Sequence, residues 1–393
     1  MAKKLRAGEV VREFVPGFNA HELKWKQTSV IGLPEGKRYV SDVELGGATI
    51  FVLRTDRDGN PDKTFGHEGW RAELLPIGPN PTNALLALSD GGVIASIFNQ
   101  YEVALVKFKE DGTLDPDFGI NGKIVHSSGE RASSESPGLS EENSYDVRAL
   151  AGRGALVPAE DGKFYALSGR RFFSGSILRC HSDGALDTTF NNTGVLSVRH
   201  PTRTVSPNSI VTTADGGVIA VGSIMRSDDG VRVFFCRYRA DGSLDEGFGE
   251  NGFSLFDFES VGIPNFFGHD MELNHVIRLS NGGFAACGEA VLGAAIFSTF
   301  CTVFCVDSRG VLLPSFNEGK PGTFPAFPIP DGEETSAIFG GVVEQDGGKI
   351  VMVGDSITAR ATGYFEKEIV AVRFLPDGSQ DLESGPHVLL ELS

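Results

Sequence analysis

The sequence predicts an all-β fold, a six-bladed β-propeller of four-stranded antiparallel blades, on three observations. First, one phrase recurs along the chain: RTDRDGNPDKTFGHEG from Arg54, KFKEDGTLDPDFGING from Lys107, RCHSDGALDTTFNNTG from Arg179, RYRADGSLDEGFGENG from Arg237, CVDSRGVLLPSFNEG from Cys305 and the truncated RFLPDGSQD from Arg373. Second, another turn signal precedes each copy: PEGK at 34, SDGG at 89, EDGK at 160, ADGG at 214, SNGG at 280 and QDGG at 345. Third, the segments around these turns are apolar and short. In the fourth unit SIVTT, VIAVGS, VRVFFCRYR and GFSLF give four strands of roughly five residues, the usual strand length.

Aligned on Gly59, Gly112, Gly184, Gly242, Gly310 and Gly378, the copies lie between 53 residues (Gly59 to Gly112) and 72 residues (Gly112 to Gly184) apart. A period of that size suits one four-stranded blade per copy, and radial repetition protects the strand edges. The repeat runs almost end to end, so residues 1–393 are expected to form a single propeller domain. With 50 Gly, 29 Phe and 22% charged residues, the composition suits many strands joined by tight turns.

The net charge of −17 is dispersed over Asp-Gly turns, and no basic footprint accompanies it. Nucleic acid is therefore excluded as an expected partner. No apolar run approaches the about 18 residues of a membrane span, and the basic MAKKLR at residue 1 is not followed by an apolar signal-peptide stretch. The expected location is cytoplasmic, or exported without a classical signal peptide. Five cysteines with no CxxC pair predict neither a disulfide framework nor a zinc site, and no cofactor or metal is expected.

The phrase has a mechanical reading. Asp-Gly makes a tight turn, with Gly in the left-handed region and Asp bonding its own backbone. Six residues after the Gly stands a Phe in five copies (Phe65, Phe118, Phe190, Phe248, Phe316), read as a plug between neighbouring blades. A basic residue five before the Gly (Arg54, Lys107, Arg179, Arg237, Arg373) accompanies an acid three after it (Asp62, Asp115, Asp187, Asp245, Asp381). The fifth copy has Cys305 and Leu313 there and lacks both. Joint loss predicts that base and acid pair across the hairpin.

These residues, DGxLDxxFGxxG with an upstream DGGxIxVxG, resemble the bacterial delta-sixty tandem repeat family. The resemblance covers nearly the whole chain, implies a β-propeller-like fold and carries no catalytic residues. Gly8 and Phe14 in AGEVVREF keep the same six-residue spacing, so the N-terminal segment is expected to close the ring. The C-terminal HVLLELS competes for the same edge position, and the sequence leaves open which segment takes it.

In such meanders the stereotyped turns fall at one end and the variable loops at the other. Loops on a rigid scaffold carry recognition. The candidate ligand-binding residues are Phe98, Tyr101, Arg170, Arg171, Phe172, Phe267, His269, Tyr364 and Phe365, since rings beside amides and guanidinium groups suit a glycan or a protein ligand. The expected function is non-catalytic binding through this end. The alternatives are a hydrolase or lyase with its active site at the channel mouth, and a structural subunit of a larger assembly. His269, Asp270, Glu272 and His275 match no standard metal spacing. DRDGNPD at Asp56 lacks the bidentate acid of a calcium loop. The Ser/Glu-rich stretch 127–145 reads as a mobile insertion loop.

Overall fold

The computed structural model describes residues 29–43, 49–77, 82–98, 102–127, 155–169, 175–224, 231–257, 259, 270–291, 299–325, 334–359, 365–381 and 387–392. These form six four-stranded sheets, each a meander of consecutive strands. Sheet 1 holds β1 (Ser29–Gly32), β2 (Arg38–Val43), β3 (Thr49–Thr55) and β4 (Trp70–Leu74). Sheet 2 holds β5 (Thr82–Ala87), β6 (Val93–Phe98), β7 (Glu102–Phe108) and β8 (Lys123–Ser127). Sheet 3 holds β9 (Ala155–Pro158), β10 (Phe164–Ser168), β11 (Ser176–Cys180) and β12 (Val195–Ser197). Sheet 4 holds β13 (Val205–Thr212), β14 (Val218–Ile224), β15 (Val231–Tyr238) and β16 (Phe253–Asp257). Sheet 5 holds β17 (Asp270–Arg278), β18 (Phe284–Val291), β19 (Thr299–Val306) and β20 (Gly322–Pro325). Sheet 6 holds β21 (Glu334–Gln345), β22 (Lys349–Ala359), β23 (Phe365–Phe374) and β24 (His387–Leu392).

The chain divides between Asn208 and Ser209 into two compact units, a boundary that falls inside β13. Within each unit the first strands of successive sheets touch, β1 with β5, β5 with β9 and β17 with β21. The second strands of sheets 2 and 4 are covered on both faces and so are largely apolar: VIASIF of β6 and VIAVGSI of β14 are buried at every position. Fourth strands such as β4 and β8 are only half-covered. In sheet 6 the edge strand is the C-terminal β24, paired to β23 from Lys367 to Ala371. That answers the competition for the edge. Residues 1–28, which include the proposed closing segment, lie outside the described residues, as do residues 128–145 of the Ser/Glu-rich stretch.

The repeated phrase builds the same turn six times. The residue three before each Gly donates its N–H to the carbonyl of the residue after it, from Asp56 to Asn60 through Leu375 to Ser379. Each of the six glycines has a positive φ, from 78° at Gly112 to 90° at Gly59, where a side chain is strained. A carboxylate closes the turn from one of two positions. Asp111, Asp183, Asp241 and Asp377, next to the Gly, accept from backbone two residues on. Asp56 and Asp307, three before it, do the same work. The calcium-like spelling of DRDGNPD is thus a turn in which Asp56 binds its own backbone.

The plug is equally regular. Phe65, Phe118, Phe190, Phe248 and Phe316 are between 0% and 4% exposed. Phe65 meets Phe108 of the next sheet at 6.1 Å, Phe118 meets Phe164 at 6.5 Å, and Phe316 meets Phe374 at 6.1 Å. Burying such a ring contributes on the order of 2–3 kcal/mol. The residue after the plug also donates its N–H to the next copy, as from Gly66 to Asp111 and from Asn317 to Asp377.

Base and acid pair as the copies imply. The separations are 3.0 Å for Arg54–Asp62, 2.8 Å for Lys107–Asp115, 2.8 Å for Arg179–Asp187, 3.3 Å for Arg237–Asp245 and 2.9 Å for Arg373–Asp381. A lysine at the end of the first turn joins three of them: Lys37 on Asp62, Lys163 on Asp187 and Lys349 on Asp381. Several of the cations also work between sheets or over rings. Arg54 donates to the Glu110 carbonyl, Lys107 to that of Ser182 and Arg237 to that of Ser308, while Arg54 and Arg179 stack on Phe65 and Phe190.

Candidate functional site

At the opposite, loop end of the sheets, buried polar side chains gather on the first and second strands. Ser41 of β2 donates its hydroxyl to Oδ1 of Asn83 on β5 at 2.6 Å, and Ser96 of β6 donates to the Ala84 carbonyl. Asn83, Asn208 and Asn274 each stand eight residues before the Gly of a first turn (Gly91, Gly216, Gly282). The loop end of the first strand therefore recurs as an amide position in three sheets.

Sheet 5 adds charge at this level. Glu272 of β17 lies directly opposite Glu289 of β18, and each is 2% exposed. Opposed residues on antiparallel strands have Cβ atoms about 5 Å apart on one face, so both carboxyl groups start from neighbouring points. Asn274, extruded where the register shifts between Leu273 and His275, donates its amide N–H to Glu289 and to the Phe339 carbonyl of sheet 6. Its buried Oδ1 has no hydrogen-bond partner among the described residues. The bulge needs Gly288, because a Cβ there would overlap the Glu272 carbonyl oxygen.

Next along the same face stand Cys301, opposite Glu289, and His275, opposite Cys287. Burial, then the Glu289 charge, pushes the Cys301 thiol well up, and burial does the same to Cys287. Burial holds Cys180 and Cys305 up at about 12. Thiols so hard to ionise are inert as nucleophiles. His275 accepts the Val342 N–H at Nδ1, and burial lowers its pKa. Among the described residues no three His, Cys, Asp or Glu side chains are placed to hold a metal ion. Two opposed carboxyls with an amide are suited instead to holding a hydroxyl or cationic group of a ligand.

The sequence-predicted residues fall differently. Phe98 is not a loop residue: it ends β6, is fully buried and packs with Phe118 and Phe164, because the second strand is covered on both faces. Phe365 begins β23 opposite Ala359. Tyr101, Arg170, Arg171, Phe172, Phe267, His269 and Tyr364 lie outside the described residues. Asn274 and Glu289 were missed. A signal for Glu289 exists: it follows the glycine that ends the upstream motif, a place held by Ser223 after Gly222 and by Asp355 after Gly354.

Comparison with known proteins adds to this picture. A family described as "Domain of unknown function (DUF5122) beta-propeller" matches residues 89–118 and 213–248, which are the second and fourth copies from first turn to plug. No curated protein matches the chain. Among solved structures, a protein from Lactobacillus plantarum is 13% identical, with 87% of this chain and 90% of that one covered at a TM-score of 0.41. The Dos1 propeller is 9% identical over 90% of this chain and 82% of that chain, TM-score 0.40. A GH43 endo-arabinanase from Bacillus licheniformis is 11% identical over 90% and 95%, TM-score 0.38. Similarity at this level bears on neither ligand nor site. Among the described residues no helix is long and apolar enough to cross a membrane.

Proposed function

We propose that residues 1–393 form one β-propeller whose blades are the six sheets, and that it is a non-catalytic binding protein recognising a glycan or a protein through the loop end. The observation that carries this reading is the contrast in how polar groups are employed. At the turn end the cations are matched to carboxylates, carbonyls and rings, which leaves that end committed to structure. At the loop end an amide acceptor on Asn274 is left over beside Glu289. Arg170, Arg171, Phe172, Tyr101, Phe267, His269, Tyr364 and Phe365 belong to loops and strand ends on that side in the meander reading. The five unpaired thiols suit the cytoplasm, with export lacking a classical signal as the alternative.

A second reading rests on Glu272 facing Glu289: a hydrolase or lyase in which one carboxyl keeps its proton as acid and the other acts as base. A glycan array and a pull-down on the full chain separate the readings. Replacing Arg170, Arg171, Tyr364 and Phe365 by Ala should abolish capture while shifting the melting temperature by only a degree or two, because exposed loop residues contribute little to the core. Retained capture by that variant overturns the binding face. Turnover of a captured glycan that Glu289→Gln removes favours the second reading, and capture of a large complex without glycan binding favours a structural subunit.

A further inference from the structure

The turn end has one exception to its structural commitment. We infer that the cleft at the turn end of sheet 6 binds a small zwitterion of the α-amino acid class, with Arg373 taking its carboxylate and Asp346 its ammonium group. The site is independent of the loop-end reading, and all of its residues belong to one compact unit. The cleft has a volume of about 530 Å³ and is lined by Glu344, Gln345, Asp346, Lys349 and Arg373. That volume falls among small-molecule pockets, which run from about 300 to 1,000 Å³.

A guanidinium group carries N–H donors on both Nη atoms as well as on Nε. The other repeat arginines satisfy them within their own sheet. Arg54 donates from Nη1 to the Tyr39 hydroxyl and from Nη2 to Thr64, and Arg179 does the same with Tyr165 and Thr189. In sheet 4, Ile219 stands opposite Arg237 in place of the tyrosine, and Asp215 of the first turn accepts from Nη2 at 2.7 Å. Sheet 6 has neither device. Val351 stands opposite Arg373, whose Nε donates to Asp381, and among the described residues no group accepts from its Nη atoms. Its side chain is 28% exposed, where those of Arg54, Arg179 and Arg237 are 4%, 9% and 18%.

The acid that closes the fork in sheet 4 is displaced in sheet 6. In the first turn of sheet 4, Thr213 bonds Gly217 and Asp215 holds the middle place. In sheet 6, where Gln345 pairs with Lys349, Gly347 holds that place with a φ of 81°, and the acid comes one residue earlier as Asp346. Among the described residues Asp346 joins no ion pair. The other charges of the cleft are committed. Asp381 accepts from Lys349 at 3.0 Å and from Arg373 at 2.9 Å on one oxygen, and Glu344 accepts from the Ser280 N–H and hydroxyl. The remainder is an open guanidinium edge and a carboxylate in one cleft. A molecule carrying both a carboxylate and an ammonium group matches each by charge-assisted hydrogen bonds. A phosphate dianion does not, because Asp346 and Glu344 repel it.

The test is saturation-transfer NMR with titration calorimetry on the full chain, using each common free L-amino acid and then the N-acetyl and amide derivatives of those that bind. At least one free amino acid should bind, and blocking either its ammonium group or its carboxylate should weaken binding at least about tenfold. Arg373→Met should abolish binding. Asp346→Asn changes an exposed turn residue, so it should weaken binding at least about tenfold while leaving the melting temperature within about a degree of the parent. If Arg373→Met unfolds the chain, Asp346→Asn alone decides. Failure of every free amino acid to bind overturns the proposal. So does an amide that binds as well as the free acid, or binding that survives both substitutions. Inorganic phosphate binding more tightly than any amino acid also overturns it, since the cleft would then be a plain anion site.

Discussion

The two ends of the sheets are built on different rules. At the turn end, six copies repeat one hydrogen-bonded turn, the first five repeat one plug, and all but the fifth repeat one ion pair. At the loop end one amide position recurs in three sheets, but the side chains around it differ from sheet to sheet: Ser41 with Asn83, Ser96, then Glu272 and Glu289 with Asn274. Repetition at one end and divergence at the other lets stability be copied from sheet to sheet while the loop-end side chains vary, as the proposed binding role requires. The exception sharpens the rule. Where Cys305 and Leu313 replace base and acid, both are apolar, and Cys305 joins the core shared with sheet 6.

The largest effect that tests this contrast is a plug deletion. Phe118→Ala, which removes the ring packed on Phe164 of the next sheet, should cost about 3–5 kcal/mol by denaturant unfolding, the usual loss for a buried ring, and leave the proposed capture at the loop end unchanged in whatever fraction stays folded. A loss below about 1 kcal/mol would mean that plugs fill space without holding sheets together.

The next is an acid. Asp187 is 1% exposed, with Lys163 and Arg179 on one oxygen and Thr189 on the other. Burial alone would raise its pKa, but the bonds from Lys163 and Thr189 and the Arg179 charge outweigh that and hold it well below the usual carboxylate range. Asp62 behaves likewise through Thr64, Lys37 and Arg54. For a lowered pKa the stabilisation is complete above the unfolded value near pH 4 and is lost as pH falls through the folded one. The melting temperature should therefore hold steady from pH 7 to about 5 and fall below pH 4. Asp187→Asn should flatten part of that fall and destabilise at pH 7 by on the order of 3 kcal/mol, since it leaves the buried Arg179 and the half-buried Lys163 without their shared carboxylate. An acid limb identical to that of the parent protein would deny the pairs their role.

The smallest effect is the coupling within one half-exposed pair. Arg237→Ala and Asp245→Ala should each destabilise, and the double variant should lose less than their sum, by about 0.5–1 kcal/mol. The coupling is diluted because Arg237 also meets Asp215 and Asp245 also meets Arg239. Strict additivity would break the reading of the repeat as a paired unit.

The number of sheets, the turn geometry, the plug and the base–acid pair were all legible in the amino-acid sequence. Each is encoded within some sixteen residues of one copy, and six copies in one chain let substitutions be compared without any other protein. What lies between copies was not legible. Phe98 reads as a loop aromatic until β6 is seen to be covered on both faces. Glu272 and Glu289 stand far enough apart in the chain that only the strand register makes them neighbours, and only the bulge at Asn274 brings an amide to them. Neither could the sequence choose between the two termini for the edge of sheet 6, since both are apolar enough to add a strand; the pairing of β24 with β23 decided it. Local turns depend on side chains meeting their own backbone, which spelling reveals, whereas burial and cross-strand opposition depend on which sheet lies against which, and that exists only in the folded chain.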